Sequence, residues 1–161
     1  MDDRSNCKIM EPINVVCCLD NSFVMPCGIM LYSLCENNKD VSLCIYVIHA
    51  DLTEPNKQKL KTTVENFGQH MEFVEIGLAS LPNICLSKQQ HHLPISTYYR
   101  LFMTSLLPEG IRKVLYLDGD IIVRKSIKGL YNLDMQNVSL AAVPDDKYCY
   151  DSIGVTYNAL K

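Results

Sequence analysis

The chain has no marked excess of either charge. Its 15 Lys and Arg stand against 18 Asp and Glu, a formal net charge of −3, with neither sign gathered in a tail. That balance gives no electrostatic pull toward nucleic acid or an anionic membrane. Met1, Asp2, Asp3, Arg4 and Ser5 do not make a basic region followed by an apolar stretch, so no signal peptide is visible. The longest apolar runs, near Ile13–Leu19 and Cys27–Cys35, are far too short to span a bilayer. These absences set the expectation of a cytoplasmic chain without a transmembrane segment.

Cys-x-x-Cys pairs are also missing among Cys7, Cys17, Cys18, Cys27, Cys35, Cys44, Cys85 and Cys149, which argues against a structural zinc site. Four of these thiols sit in strongly apolar segments, where cysteine behaves as a small hydrophobe, so free buried thiols in a reducing compartment are expected. Repeats, low-complexity tracts and long linkers are absent too. With 161 residues, 48% of them hydrophobic, residues 1–161 are expected to form a single domain large enough to bury a core.

What is present alternates between two periods. Ile13–Leu19 is a continuous apolar run rich in β-formers, the pattern of a strand covered on both faces. Asp20-Asn21-Ser22 supplies turn and capping chemistry, and a helix is predicted over Val24–Asn37, with Pro26 tolerated in its first turn. Val24, Cys27, Leu31, Leu34 and Cys35 fall on one face of it. Val41–His49 reads as a second strand. Thr53 is placed to cap a second helix over Glu54–Phe67, with Leu60, Val64 and Phe67 as the apolar stripe and Lys57, Lys59 and Lys61 toward water. Met71–Ile76 reads as a strand, Ser96–Leu107 as a helix, Lys113–Asp118 as a buried strand and Ser139–Val143 as a fifth strand. His49 and His70 are expected at the surface, His92 in a loop, and Tyr148, Tyr150 and Tyr157 in packing roles.

Strands alternating with helices imply βαβ units and a mostly parallel sheet. Ligands bind such sheets beyond the carboxyl ends of the strands, where strand order reverses. Asp20-Asn21 follows the first strand and Asp118-Gly119-Asp120 the fourth. If those strands are neighbours, both clusters line one crevice.

Asp118-Gly119-Asp120 is the sharpest signal. Two carboxylates one small residue apart can converge on one hard cation, and glycine lets the backbone approach a ligand. The bland reading is an ordinary Asp-Gly turn between strands. Charges held at the rim of a core, between Val114–Leu117 and Ile121–Val123, favour the metal.

The segment KVLYLDGDIIV resembles the Asp-x-Asp region of glycosyltransferase family 8, retaining enzymes of GT-A (Rossmann-like) fold that include bacterial lipooligosaccharide galactosyltransferases and glycogenin. Asn14–Ser22 (NVVCCLDNS), His92–Leu101 (HLPISTYYRL) and Leu140–Asp145 (LAAVPD) are similar to further family segments in order and spacing. The resemblance implies a mostly parallel sheet flanked by helices and a metal-dependent hexosyltransferase of lipopolysaccharide-biosynthesis type. It would take a nucleotide-diphosphate sugar, with UDP the expected nucleotide, to a glycan or lipid-linked saccharide acceptor. Asp118 and Asp120 would hold Mn2+ or Mg2+, bridging the diphosphate and offsetting its charge as it departs. Arg100 would reach toward the donor sugar and the metal-site carboxylates, a task suited to a guanidinium. Asp20, Asn21 and Gly119 would line the nucleotide site, and Asp145 would lie near the sugar and acceptor. In the full-length protein a peripheral place on the inner face of the membrane is implied.

The chain departs from the family pattern at Leu19, where many relatives carry an acid that reads the uracil ring. It also stops at Lys161, ahead of the family's later Asn-Ala-Gly segment, a further acidic site and a histidine metal ligand; Asn158-Ala159-Leu160 does not replace the first. The expectation is an N-terminal portion with its C-terminal part missing, weak in nucleotide binding and poor in turnover. Without the resemblance, Arg100 reads as a solvated or salt-bridged helix residue beside Tyr98 and Tyr99. Two other readings stand beside the leading one. One is a haloacid-dehalogenase-type phosphotransferase, whose Asp-x-Asp normally ends the first strand rather than the fourth. The other is a non-catalytic sugar-nucleotide-binding fragment.

Overall fold

A computed structural model of the chain describes residues 11–77, 95–136 and 138–143. Contacts divide the chain into two compact units, residues 1–131 and 132–161. The first unit holds four parallel strands in the order β3-β2-β1-β4: β1 Ile13–Cys18, β2 Leu43–His49, β3 His70–Glu75 and β4 Leu115–Tyr116. Helices α1 (Val24–Glu36) and α2 (Glu54–Glu65) make the crossovers, α3 (Met103–Leu106) precedes β4, and α4 (Lys128–Tyr131) follows it.

The continuous apolar runs become strands because both faces are covered. Val15, Cys17, Leu43, Ile45 and Val47 pack on one side with Cys27, Leu31, Leu34, Leu60 and Val64 of the two long helices. Val16, Tyr46 and Ile48 pack on the other side with Tyr99, and Phe102 and Leu106 close over them. The helical faces read from spacing are the buried ones, with Met30 joining that of α1 and Phe67 half-buried beyond α2. The five described thiols, Cys17, Cys18, Cys27, Cys35 and Cys44, are free.

Four local expectations change. Ser96–Leu107 is not one α-helix: Ile95–Phe102 winds as a 3-10 helix, and only Met103–Leu106 is α-helical. Three residues per turn stack Ser96, Tyr99 and Phe102 on one face, and over two turns that spacing is hard to tell from 3.6. Ser139–Val143 forms no strand; the described residues from Val138 to Val143 are all exposed, Leu140 at 74% and Val143 at 90%. An apolar run becomes a strand only against a neighbouring edge, and no described residue offers it one.

His49 is buried rather than at the surface, its Nδ1 accepting the Leu52 N–H at 3.2 Å. Burial, helped by Lys57, lowers its pKa and favours the neutral ring. Thr53 sits at the start of α2 without a side-chain cap. Asn21 binds that entry instead, its Oδ1 accepting from Thr53 N at 3.1 Å and Asn56 Nδ2 at 3.0 Å.

Beyond β4 the chain is tied to α1 by side chains. Ser33 Oγ accepts Val123 N–H at 3.0 Å, Asn37 Nδ2 donates to Val123 O at 3.0 Å, and Asn38 Oδ1 accepts Ile127 N–H at 2.8 Å. Asn38 is fully buried and also donates to Leu34 O at 2.8 Å. Truncating it orphans the buried amide of Ile127. Asn38→Ala should therefore cost about 1–3 kcal/mol in urea unfolding, whereas Asn37→Ala, at an exposed position, should stay within about 1 kcal/mol. Equal midpoints for the two variants would remove Asn38 from this role.

Candidate functional site

From β1 the chain crosses to β2 on one side, while β4 lies against β1 on the other. Strand order therefore reverses at the β1–β4 boundary, the place where open α/β sheets bind ligands. Val15 pairs with Leu115 and Val16 with Tyr116, and Leu117 N donates to Val16 O at 2.9 Å. Asp20 and Asp118 each stand two residues past the end of their strand, so the two polar clusters share one crevice, as the sequence required if these strands were neighbours.

Leu117 and Gly119 are buried and alternate with exposed Asp118 and Asp120. Gly119 and Asp120 lie in a turn, and no strand follows them among the described residues. A Cβ added at Gly119 would meet Cys27 Cβ at 3.5 Å and Phe23 at 3.7 Å, so the backbone here runs close against the start of α1. That leaves little room for any longer side chain.

Asp118 is held from two sides. Its Oδ1 accepts the Tyr116 phenol at 2.9 Å and lies 3.2 Å from Arg100 Nη2. Tyr116 and Asp118 are two residues apart, so the period of an extended chain puts them on one face. Burial foremost, then the nearby Cys18 and Asp118, raises the Tyr116 pKa, which keeps the phenol a proton donor. Arg100 Nε donates to Thr97 O at 2.9 Å, and its guanidinium stacks 4.9 Å from the Tyr116 ring centroid. A carbonyl, a ring and a carboxylate thus fix its orientation. Arg100 is thus the salt-bridged residue that its place in the sequence also allowed, with Asp118 as its partner. Cys18 lies beside this pair, its thiol pushed up to about 12 by burial, with Arg100 opposing and Asp118 adding to the shift.

Asp20 caps the short 3-10 turn Asn21–Phe23 through the Ser22 amide at 2.9 Å, and its Oδ2 accepts Ser96 Oγ at 3.0 Å. Partial burial raises its pKa, but the hydroxyls of Ser22 and Ser96 and the amides of Ser22 and Phe23 outweigh this and hold it below the usual carboxylate range. Asn21 Nδ2 donates to Asp51 O at 2.9 Å, so both ends of its amide are committed to the chain. Leu19 is 1% exposed, a side chain of the core. Asp145, His92, Tyr148, Tyr150 and Tyr157 lie outside the described residues. Ser96 and Tyr116 were not singled out from sequence, although both stand inside segments that were.

Among the described residues no third His, Cys, Asp or Glu joins Asp118 and Asp120. Two exposed carboxylates suit a hard divalent cation that takes its remaining ligands from phosphate oxygens and water. No described helix is long and apolar enough to cross a membrane.

Residues 14–156 match the family model described as Glycosyl transferase family 8. Among curated proteins the chain is similar to General stress protein A of Bacillus subtilis, 29% identical over 137 residues, covering 84% of this chain and 47% of that protein. It is also similar to Glycosyltransferase GlyF of Streptococcus pneumoniae, 28% identical over 86% of this chain and 33% of that one. Lipopolysaccharide 1,3-galactosyltransferase of Salmonella typhimurium is 23% identical, over 83% of this chain and 39% of that enzyme. The chain thus spans from a third to just under half of these relatives. Among solved structures, the galactosyltransferase LgtC in complex with donor and acceptor sugar analogues superposes with a TM-score of 0.65 at 24% identity, over 76% of this chain and 43% of that one. GlyE of Streptococcus pneumoniae superposes at 0.62 with 26% identity, over 93% of this chain and 33% of that one. The fold is the GT-A arrangement expected from sequence. The family match gives the phosphotransferase reading no support.

The geometry at Asp20 makes a pH prediction. Its depressed folded pKa means that its stabilisation is present above the unfolded value of about 3.9 and is lost as pH falls through the folded value. Carboxyl NMR should show Asp20 titrating below the ordinary Asp range, and Ser96→Ala should move it upward. An ordinary titration in the parent chain, or no movement in the variant, would contradict the Asp20–Ser96 bond.

Proposed function

Because the chain belongs to glycosyltransferase family 8, we propose that it supplies the donor-binding part of a metal-dependent glycosyl transfer. In this reading a hexose passes, with retention, from a UDP-sugar to a hydroxyl of a glycan or lipid-linked saccharide. The carrying observation is the Arg100–Asp118 pair at the point of strand reversal, with exposed Asp120 beside it.

Asp118 and Asp120 would hold Mn2+ or Mg2+, whose charge would offset that of the departing diphosphate. The protein's own part is positioning. Arg100 is fixed by Thr97, Tyr116 and Asp118, and it retains N–H donors beyond those given to Thr97 and Asp118, which a diphosphate or donor sugar could accept. Its charge is in place before substrate arrives, so little reorganisation is needed. The Tyr116 phenol orients the Asp118 carboxylate and leaves Oδ2 for the cation. Gly119 lets the two aspartates flank a turn pressed against α1.

At the first strand's end, Asp20 and Asn21 act by shaping the rim, since their polar atoms are already bonded within the chain. Nucleotide contacts there fall to the backbone of the turn. With Leu19 in the core, no carboxylate at that position reads the base. By the resemblance alone, Asp145 would be an acidic group near the sugar and acceptor.

Calorimetric titration of UDP into the chain should give binding with Mn2+ that weakens at least tenfold, about 1.4 kcal/mol, under chelator. It should be lost in the double variant Asp118→Asn, Asp120→Asn. Arg100→Lys should weaken it, because an ammonium cannot keep the forked geometry or the stacking. Equal affinity with and without chelator would defeat the metal bridge. Phosphomonoester hydrolysis without UDP binding would return the phosphotransferase reading.

A further inference from the structure

Cys44 and His70 are direct partners in the parallel β2–β3 register. Paired residues in a sheet project to the same face, and Glu72, two residues beyond His70, returns to that face. One ligand atom from each of the three lies within 4.8 Å of the others, and among the described residues no other such group of three occurs. We propose that Cys44, His70 and Glu72 form a binding site for a borderline-soft d-block dication such as Zn2+, separate from the crevice.

A thiolate, an imidazole and a carboxylate together are a zinc-type ligand set. Zinc holds such atoms at about 2.0–2.3 Å, so small side-chain rotations close the observed separations onto one ion. Part of the convergence already exists, because His70 Nε2 and Glu72 Oε1 are 2.9 Å apart in a hydrogen bond. An ion would take the place of the shared proton, with the imidazole carrying its proton on Nδ1 instead. The Cys44 thiol proton would pass to solvent. Cys44 is buried in the sheet while His70 is exposed and Glu72 half-buried, so the soft ligand lies at the floor and the other two nearer an open mouth.

The bland alternative is a surface His–Glu pair above a core cysteine. It explains each residue singly but gives no reason for three different ligand types on one sheet face. Cys-x-x-Cys spacing cannot reveal such a site, because the ligands come from two strands joined by a helix.

The site lies at the starts of β2 and β3, whereas the crevice lies at the finishes of β1 and β4. The two would select different ions. Oxygen-only ligands at Asp118 and Asp120 suit Mg2+ or Mn2+, and a thiolate with an imidazole suits Zn2+. A bound ion would also tie β3, which lies at the edge of the sheet, to β2.

The test uses Co2+ as probe on the reduced chain. A single equivalent should give thiolate-to-cobalt charge-transfer absorption that Zn2+ displaces and Mg2+ does not. Zn2+ should raise the Tm without nucleotide. His70→Gln and Glu72→Gln change an exposed and a half-buried position outside the core; each should weaken Co2+ binding by about tenfold or more. Cys44→Ser should abolish the band, while Cys18→Ser and the Asp118→Asn, Asp120→Asn pair should leave it. Absence of the band, its persistence in Cys44→Ser, or unchanged affinity in His70→Gln would overturn the site. If Cys44→Ser does not fold, the His70→Gln result decides.

Discussion

Strand β1 is hydrogen-bonded along both edges, to β2 through six paired residues and to β4 through two, with Leu117 N adding one more bond to Val16 O. Each cluster's place depends on that second, short pairing. A parallel neighbour brings strand ends together at the same end of the sheet, so Asp118 emerges beside Asp20 because β4 runs with β1. A one-residue slip would turn Tyr116 to the opposite face and take Asp118 away from Arg100. A ladder of two pairs is thin, and side chains reinforce it. Tyr131 donates to Lys113 O at 2.9 Å just before β4, and Ser33, Asn37 and Asn38 hold the chain just after it.

The 3-10 segment Ile95–Phe102 then spans the ends of the two strands. Ser96 reaches Asp20 past β1, and Arg100 reaches Asp118 past β4. Between them Tyr99 is 1% exposed, anchoring the segment in the core on that side of the sheet. The tighter winding matters to this. Ser96 and Tyr99 share the inward face at a spacing of three, which leaves Thr97 and Arg100 on the next, where Thr97 O can receive Arg100 Nε. Asp20 and Asp118 are therefore each met by a donor from one continuous piece of chain.

Much of this was readable because it follows from period and composition. Ile13–Leu19 and Val41–His49 are uninterrupted apolar runs, and only a strand covered on both faces accommodates such runs between turn residues. Asp118-Gly119-Asp120 stood out because two charges interrupt an apolar stretch. What escaped depends on contacts between distant segments. Ser139–Val143 has the composition of a strand, but strand formation is decided by a partner edge. His49 and Asn21 look like surface polar residues until Leu52, Asp51 and Asn56 are seen to satisfy them. Ser96 and Tyr116 carry no mark of their own, since a hydroxyl beside a carboxylate is visible only when the fold places it there.

The middle residue of Asp118-Gly119-Asp120 shows how the backbone sets the chemistry. Gly119 is buried against Cys27 and Phe23 of the α1 entry, while both neighbours are exposed. A methyl group would sit there in ordinary contact, but atoms beyond Cβ would crowd Cys27 and Phe23 and press on the turn that carries both aspartates. With glycine, Asp118 stays under Arg100 and Tyr116, and Asp120 stays at the open rim. The two carboxylates are then unequal. One is partly neutralised by the guanidinium of Arg100, and the other remains open to solvent. That asymmetry lowers the repulsion of holding two negative charges at the edge of a core before any substrate arrives.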